Sequence, residues 1–273
     1  MSVPFGSAML GSGWVWWLAV PAMLAYAAAL GGAAVRLPAT AFTLGWVLHA
    51  LALAADVIGA GESDGAARFG FAQALSATVW LVIGVYLLES RLLPLPAARR
   101  LLAALALVAM ALALLYPGPL RPYIGAGWLA LHWLLALVSY GLFGVAVLHG
   151  LLLDAAERRL RSKTAPGGAA AGPPGLPLLR LERLTFGFVG AGFLMLSLTL
   201  LLGMATTLGW RWDHKTIFAV LGWATFALLL GGRHLRGWRG RRATRWLYAG
   251  AALLVLAYVG SRFVLDVLMA RGG

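Results

Sequence analysis

Long apolar runs alternate with short polar breaks along the whole chain. The runs fall at about 14–34, 38–60, 69–90, 99–116, 126–153, 184–209, 214–233 and 244–269. Each approaches or exceeds the ~20 residues that a helix needs to cross a hydrocarbon core of ~30 Å. The pattern predicts an all-α, polytopic transmembrane helical bundle of about eight spans, forming a single integral membrane domain over 1–273. A membrane barrel would instead require short segments of alternating polarity. The fourth run is the shortest and leads directly into the breaker YPGP (116–119). The stretch SKTAPGGAAAGPPGLP (162–177) has the composition of a flexible linker. No internal repeat of the kind that builds inverted-repeat transporters is visible.

Composition agrees, with 62% hydrophobic and only 11% charged residues, against roughly a quarter charged in a soluble domain. No lysine or arginine precedes Arg36, so the first run lacks a signal peptide's basic flank and is expected to remain as a span. Cysteine is absent, which excludes disulfides, thiolate metal sites and a thiol relay within these residues. The net charge of +13 does not point to nucleic acid, because the basic residues cluster in short loops. There they set orientation and meet anionic lipid headgroups.

All but six of the 22 basic residues fall in the loops after spans one, three, five and seven. The six are Arg68, Arg121, Arg211, Lys215, Arg262 and Arg271. The positive-inside rule therefore places both termini outside, with GWRWDHK (209–215) on the non-cytoplasmic face. Trp14, Trp16, Trp17, Trp128, Trp133, Trp210 and Trp212 are expected on that same face. They read either as an interfacial aromatic belt or as a shelf of flat rings for a flat apolar ligand.

Ionisable residues inside spans are costly and so become candidates for function. His49 lies near the middle of the second span, and Asp56, seven residues on, shares its helix face. His132 sits about a turn and a half into the fifth span, ahead of Ser139 and Tyr140, and His214 opens the seventh. His149 and His234 read as interfacial polar residues, and Arg262 with Asp266 as a local ion pair. For His49 and His132 two readings stand side by side: neutral imidazoles bonding neighbouring helices, or ligands. Imidazole is a standard axial ligand of haem iron. A porphyrin also needs flat apolar walls and cations for its propionates, which the tryptophans and Arg121, Arg211 and Lys215 offer.

Three stretches resemble the CcsA/CcmC-type cytochrome c assembly family, most closely its HemX/YpjD-like inner-membrane branch. They are LHALALAADVIGAGE (48–62), LHWLLALVSYGLFGVAVLHGLLLD (131–154), and the run from LERLTF (181–186) through GWRWDHKTIFAVLGWATFALLL and GWRGRRA to LAYVGSRFVLDVL (256–268). The resemblance implies haem-iron ligation by His49 at a membrane site and His132 at an external site. WRWDHKT stands where the family has a tryptophan-rich loop ending in a WDPKE-like string. Trp212, Asp213 and Lys215 keep that pattern, while His214 replaces the proline. The family's second membrane histidine falls at Gly231, and its second external histidine is missing after YVGSRF (258–263).

The expectation is a bacterial inner-membrane protein of cytochrome c biogenesis that handles non-covalent, b-type haem and is an accessory or regulatory relative rather than a complete haem lyase. His49, His132 and His214 are the axial candidates, and Trp210, Arg211, Trp212, Asp213 and Lys215 the contact candidates, with Asp56 as an intramembrane polar group. Expected partners are haem, membrane lipids and other cytochrome c assembly proteins. Two alternatives remain: a haem-free scaffold docking a partner through RHLRGWRGRRATR (233–245), or a proton-coupled transporter using His49 and Asp56. No hydrolase or phosphate-loop motif is present.

Overall fold

The computed structural model describes residues 13–31, 36–58, 67–90, 96–121, 127–163, 178–206 and 212–260. Among them are eight α-helices: α1 (Gly13–Leu30), α2 (Arg36–Ile58), α3 (Phe71–Ser90), α4 (Pro96–Leu115), α5 (Gly127–Lys163), α6 (Leu178–Thr206), α7 (His214–Arg236) and α8 (Gly240–Val255). A π-helical turn, Leu256–Gly260, continues α8. The architecture is the expected all-α polytopic membrane bundle. Six helices, α2 to α7, are long and apolar enough to cross a membrane. Val15–Leu30 of α1 is a shorter apolar helix, and α8 carries Arg241, Arg242 and Arg245 in its first turns.

α5 continues beyond 153 to Lys163 and α6 begins ahead of 184, at Leu178. The added segments, DAAERRLRSK and LLRLER, are rich in strong helix formers, and the closing basic residues of α5 suit a helix C-terminus. The glycine- and proline-rich 164–177 lies outside the described residues, as do Trp210, Arg211, Arg262 and Asp266.

The chain divides into two compact units, Met1–Gly127 with Arg262–Gly273, and Trp128–Ser261. In the first, α1 lies along α2 and also meets α4, while α3 packs on α2 and α4. Gly45 provides the space for this close approach, since the Tyr26 ring passes 3.1 Å from where a Cβ would stand. Between α2 and α3, Trp46 and Trp80 stack at 5.2 Å, almost parallel. Each indole N–H donates to the other residue's carbonyl, at 3.0 and 3.1 Å. A two-residue antiparallel bridge, β1 (Ala67–Arg68) with β2 (Leu120–Arg121), clasps the α2–α3 and α4–α5 connections. Gly118 is packed directly on the Gly70 backbone there, leaving no room for a side chain.

The second unit centres on Phe143 of α5 and Phe226 of α7, stacked at 3.8 Å. Gly192 of α6 lies against Phe143 and Gly250 of α8 against Phe226, so the small residues let these helices close around the pair. Two hydroxyls of the SY pair staple α5 to its neighbours. Ser139 donates to the Gly192 carbonyl at 3.1 Å, and Tyr140 to the Leu254 carbonyl at 2.7 Å. The α7–α8 turn closes with an αL cap: Gly237 adopts a left-handed φ of 63°, its N–H reaches the Arg233 carbonyl, and the Trp238 N–H reaches that of Gly232. Trp238 then lies on Gly232, a position where no side chain fits.

Candidate functional site

His49 sits at the centre of a buried polar cluster in the first unit. Its ring is 1% exposed. Nδ1 shares a 3.2 Å hydrogen bond with the Tyr26 hydroxyl, and Nε2 a 2.7 Å bond with that of Ser76. One turn of α3 before Ser76, the Gln73 amide donates to the Asp56 carboxylate at 2.9 Å, and its carbonyl accepts from the Gly70 N–H at 3.1 Å. His49, Asp56 and Ser76 face one cleft of about 20 Å³, closed by apolar residues including Ala52 and Met110. That volume suits a single water.

His132 in the second unit presents a different environment. It lies in the second turn of α5 against α6, half-buried, near the Thr199 backbone. Its Nδ1 is buried with no hydrogen-bond partner. Gly203, one turn further along α6, lies directly against the ring: a Cβ there would stand 3.2 Å from Cε1 and 3.6 Å from Nδ1. Lys215 of α7 is within electrostatic reach of the imidazole, and its Nζ lies over the Tyr258 ring at 5.7 Å. Tyr258 belongs to the π-turn and packs edge-on against Tyr140 at 6.5 Å. Tyr140, Tyr258 and Lys215 thus form one connected series of contacts, of which Lys215 acts electrostatically on His132.

The rest of the tryptophan-rich segment divides by role. Trp212 is exposed. Asp213 is the N-cap of α7, its carboxylate accepting from the Thr216 N–H at 2.8 Å. Its place in the motif is thereby explained by helix initiation. His214 and Lys215 are exposed in the first turn of α7. At Gly231 nothing lies within 4 Å of a would-be Cβ. His149, by contrast, is buried and bonded to the Val145 carbonyl at 2.9 Å.

The two histidines differ as iron ligands. At His132 the Nδ1 atom has no hydrogen-bond partner, so one ring nitrogen is uncommitted. The residues there offer what a haem would use: a nitrogen without a partner, a small neighbouring glycine, and a cation in Lys215. At His49 both nitrogens are bonded and the adjoining cleft has room only for a group the size of a water, so a tetrapyrrole does not fit in this arrangement. Tyr26, Gln73, Ser76, Thr199 and Gly203 were not singled out by the sequence. Their one sequence signal is polarity or smallness inside an apolar run, which alone does not name a partner.

Residues 43–269 match the family of cytochrome C assembly proteins. The inner membrane protein YpjD of Escherichia coli (strain K12) is 30% identical over 226 residues, covering 80% of this chain and 82% of its own length. The cytochrome c biogenesis protein CcsA of Synechococcus sp. (strain WH7803) is 29% identical over 178 residues, about half of each chain, 52% and 54%. No solved structure matches the chain. A helical membrane bundle with this match over most of its length defines a multi-pass integral membrane protein. The chain belongs to the cytochrome c assembly protein family.

Proposed function

We propose that this protein binds and presents haem at the His132 end of its second unit, as an accessory or regulatory member of the cytochrome c assembly family in the bacterial inner membrane. The observation that carries the proposal is the His132 imidazole, with Nδ1 unpartnered beside Gly203 and Lys215 close by. Haem, held non-covalently, would supply the prosthetic group to be delivered or sensed. His132 would be the axial ligand and Lys215 would meet a propionate. Trp212, with Trp210 and Arg211 in the preceding loop, would complete the surface, and His214 is a further axial candidate. Asp213 acts by starting α7. His49 takes part only where its bonds to Tyr26 and Ser76 open.

The reading also draws on the family and on the printed function of the CcsA relative, cytochrome c biogenesis. Two features favour an accessory role over thioether formation: the glycine at 231 and the absence of a histidine after YVGSRF. Other assembly proteins are the natural partners for haem held in this way. The distribution of arginine and lysine supports both termini and the tryptophan-rich loop lying outside.

The test is an absorption spectrum of the detergent-extracted protein mixed with haem. A histidine-ligated Soret band is expected, lost in His132→Ala and largely kept in His49→Ala. An unchanged band in His132→Ala removes that ligand assignment.

A further inference from the structure

A groove of about 570 Å³ opens on the second unit, bounded by α5, the start of α6 and the start of α8. Its size is that of ligand-binding clefts, which run to about 300–1,000 Å³. It is remote in sequence and in element from His132, which occupies the other end of α5.

Its walls carry charges of both signs. Glu157, Glu182, Arg239 and Arg241 line it together with Leu153, Leu178 and Leu179. Several nearby charged groups are committed elsewhere. Arg233 pairs with Glu182 at 2.8 Å and stacks on Phe186 at 3.7 Å. Arg242 stacks on Trp238 at 4.4 Å, and Asp154 accepts from Thr244 and Tyr248 at 3.0 and 2.9 Å. The groove residues are less engaged. Arg239 is 70% exposed and stands at a loose 3.8 Å from Glu182. Neither Arg241 nor Glu157 has an ion pair among the described residues. The Glu157 carboxylate lies against Gly240, 3.2 Å from where a Cβ would stand. Leu179, which also lines the groove, is 70% exposed, an apolar surface that an acyl chain would cover.

The geometry points to a binding site for one phospholipid whose headgroup carries both a phosphate and a primary ammonium, as phosphatidylethanolamine does. Arg239 and Arg241 take the phosphate, since guanidinium groups suit its oxygens. Glu157 accepts from the ammonium, and the leucines meet the upper part of an acyl chain. Choline lipids lack the N–H donors that Glu157 requires. Glycerol lipids satisfy the arginines and leave the carboxylate without its cation.

The full-length protein, stripped of lipid in detergent, is titrated with phosphatidylethanolamine, phosphatidylcholine and phosphatidylglycerol of equal chain length, and bound lipid is counted by native mass spectrometry. The ethanolamine lipid is expected to bind about tenfold tighter than the choline lipid, the size of one charge-assisted hydrogen bond. Glu157→Gln should erase that preference and leave glycerol-lipid binding in place, while Arg241→Gln should weaken both the ethanolamine and glycerol lipids. Equal affinity for ethanolamine and choline lipids overturns the proposal, as does a preference that survives Glu157→Gln. Tighter binding of the glycerol lipid reduces the groove to a plain positive surface and overturns it too. Should Glu157→Gln not fold, the exposed Arg241→Gln decides alone: unchanged binding of both lipids refutes the site.

Discussion

An imidazole within an apolar helix has two nitrogens to satisfy, and the residues facing them determine whether it serves as glue or as a ligand. His49 has Tyr26 on one side and Ser76 on the other, so its hydrogen-bonding capacity is used by helices α1 and α3. His132 has no hydrogen-bond partner at Nδ1, and its ring lies directly against Gly203. Glycine is required at 203 for this reason. We expect Gly203→Leu to abolish the His132-dependent Soret band with every histidine still present. Helix content by circular dichroism should be unchanged, and a retained band would show that the space beside Gly203 is not used. The sequence marked both histidines as candidates. It could not separate them, because their partners come from helices 23 to 71 residues away along the chain.

At the scale of helices, hydropathy marked the apolar runs from which the helices are built, since a membrane helix is apolar on nearly every face. It was less informative about where helices end in water. There, propensity and capping take over, as in the extension of α5 to Lys163 and the Asp213 cap of α7. Helix contact depends on glycines whose role is invisible in a list of apolar residues. Gly250 faces Phe226 so closely that a Cβ would stand 2.8 Å from the ring, whereas Gly231 faces open space. Gly250→Val should therefore lower stability by about 1–3 kcal/mol, the cost of overpacking. Gly231→Ala should leave the thermal unfolding midpoint where it is. Equal midpoints for the two variants would contradict the α7–α8 packing described above.

For the molecule as a whole, the orientation proposed above rests on where arginine and lysine lie, independently of packing within either unit. The absence of cysteine makes this directly measurable, because any introduced thiol is the sole target. A membrane-impermeant maleimide should label Trp212→Cys in intact spheroplasts and label Arg236→Cys only after permeabilisation. Both side chains are exposed, so the two reactions differ only in the side of the membrane. The reverse pattern would invert the topology and place His132 on the cytoplasmic face.

Composition and apolar periodicity alone determined that the chain is a helical, multi-pass membrane protein, and the WRWDHKT and SY motifs pointed to its family. Both are local properties, written within single runs of residues. The tertiary structure alone decided that His49 is held by Tyr26 and Ser76, that His132 keeps a nitrogen unpartnered, and that Glu157 and Arg241 share a groove. Those outcomes depend on which faces of distant helices meet, and hydrophobicity, being much the same all round a membrane helix, carries little information about facing.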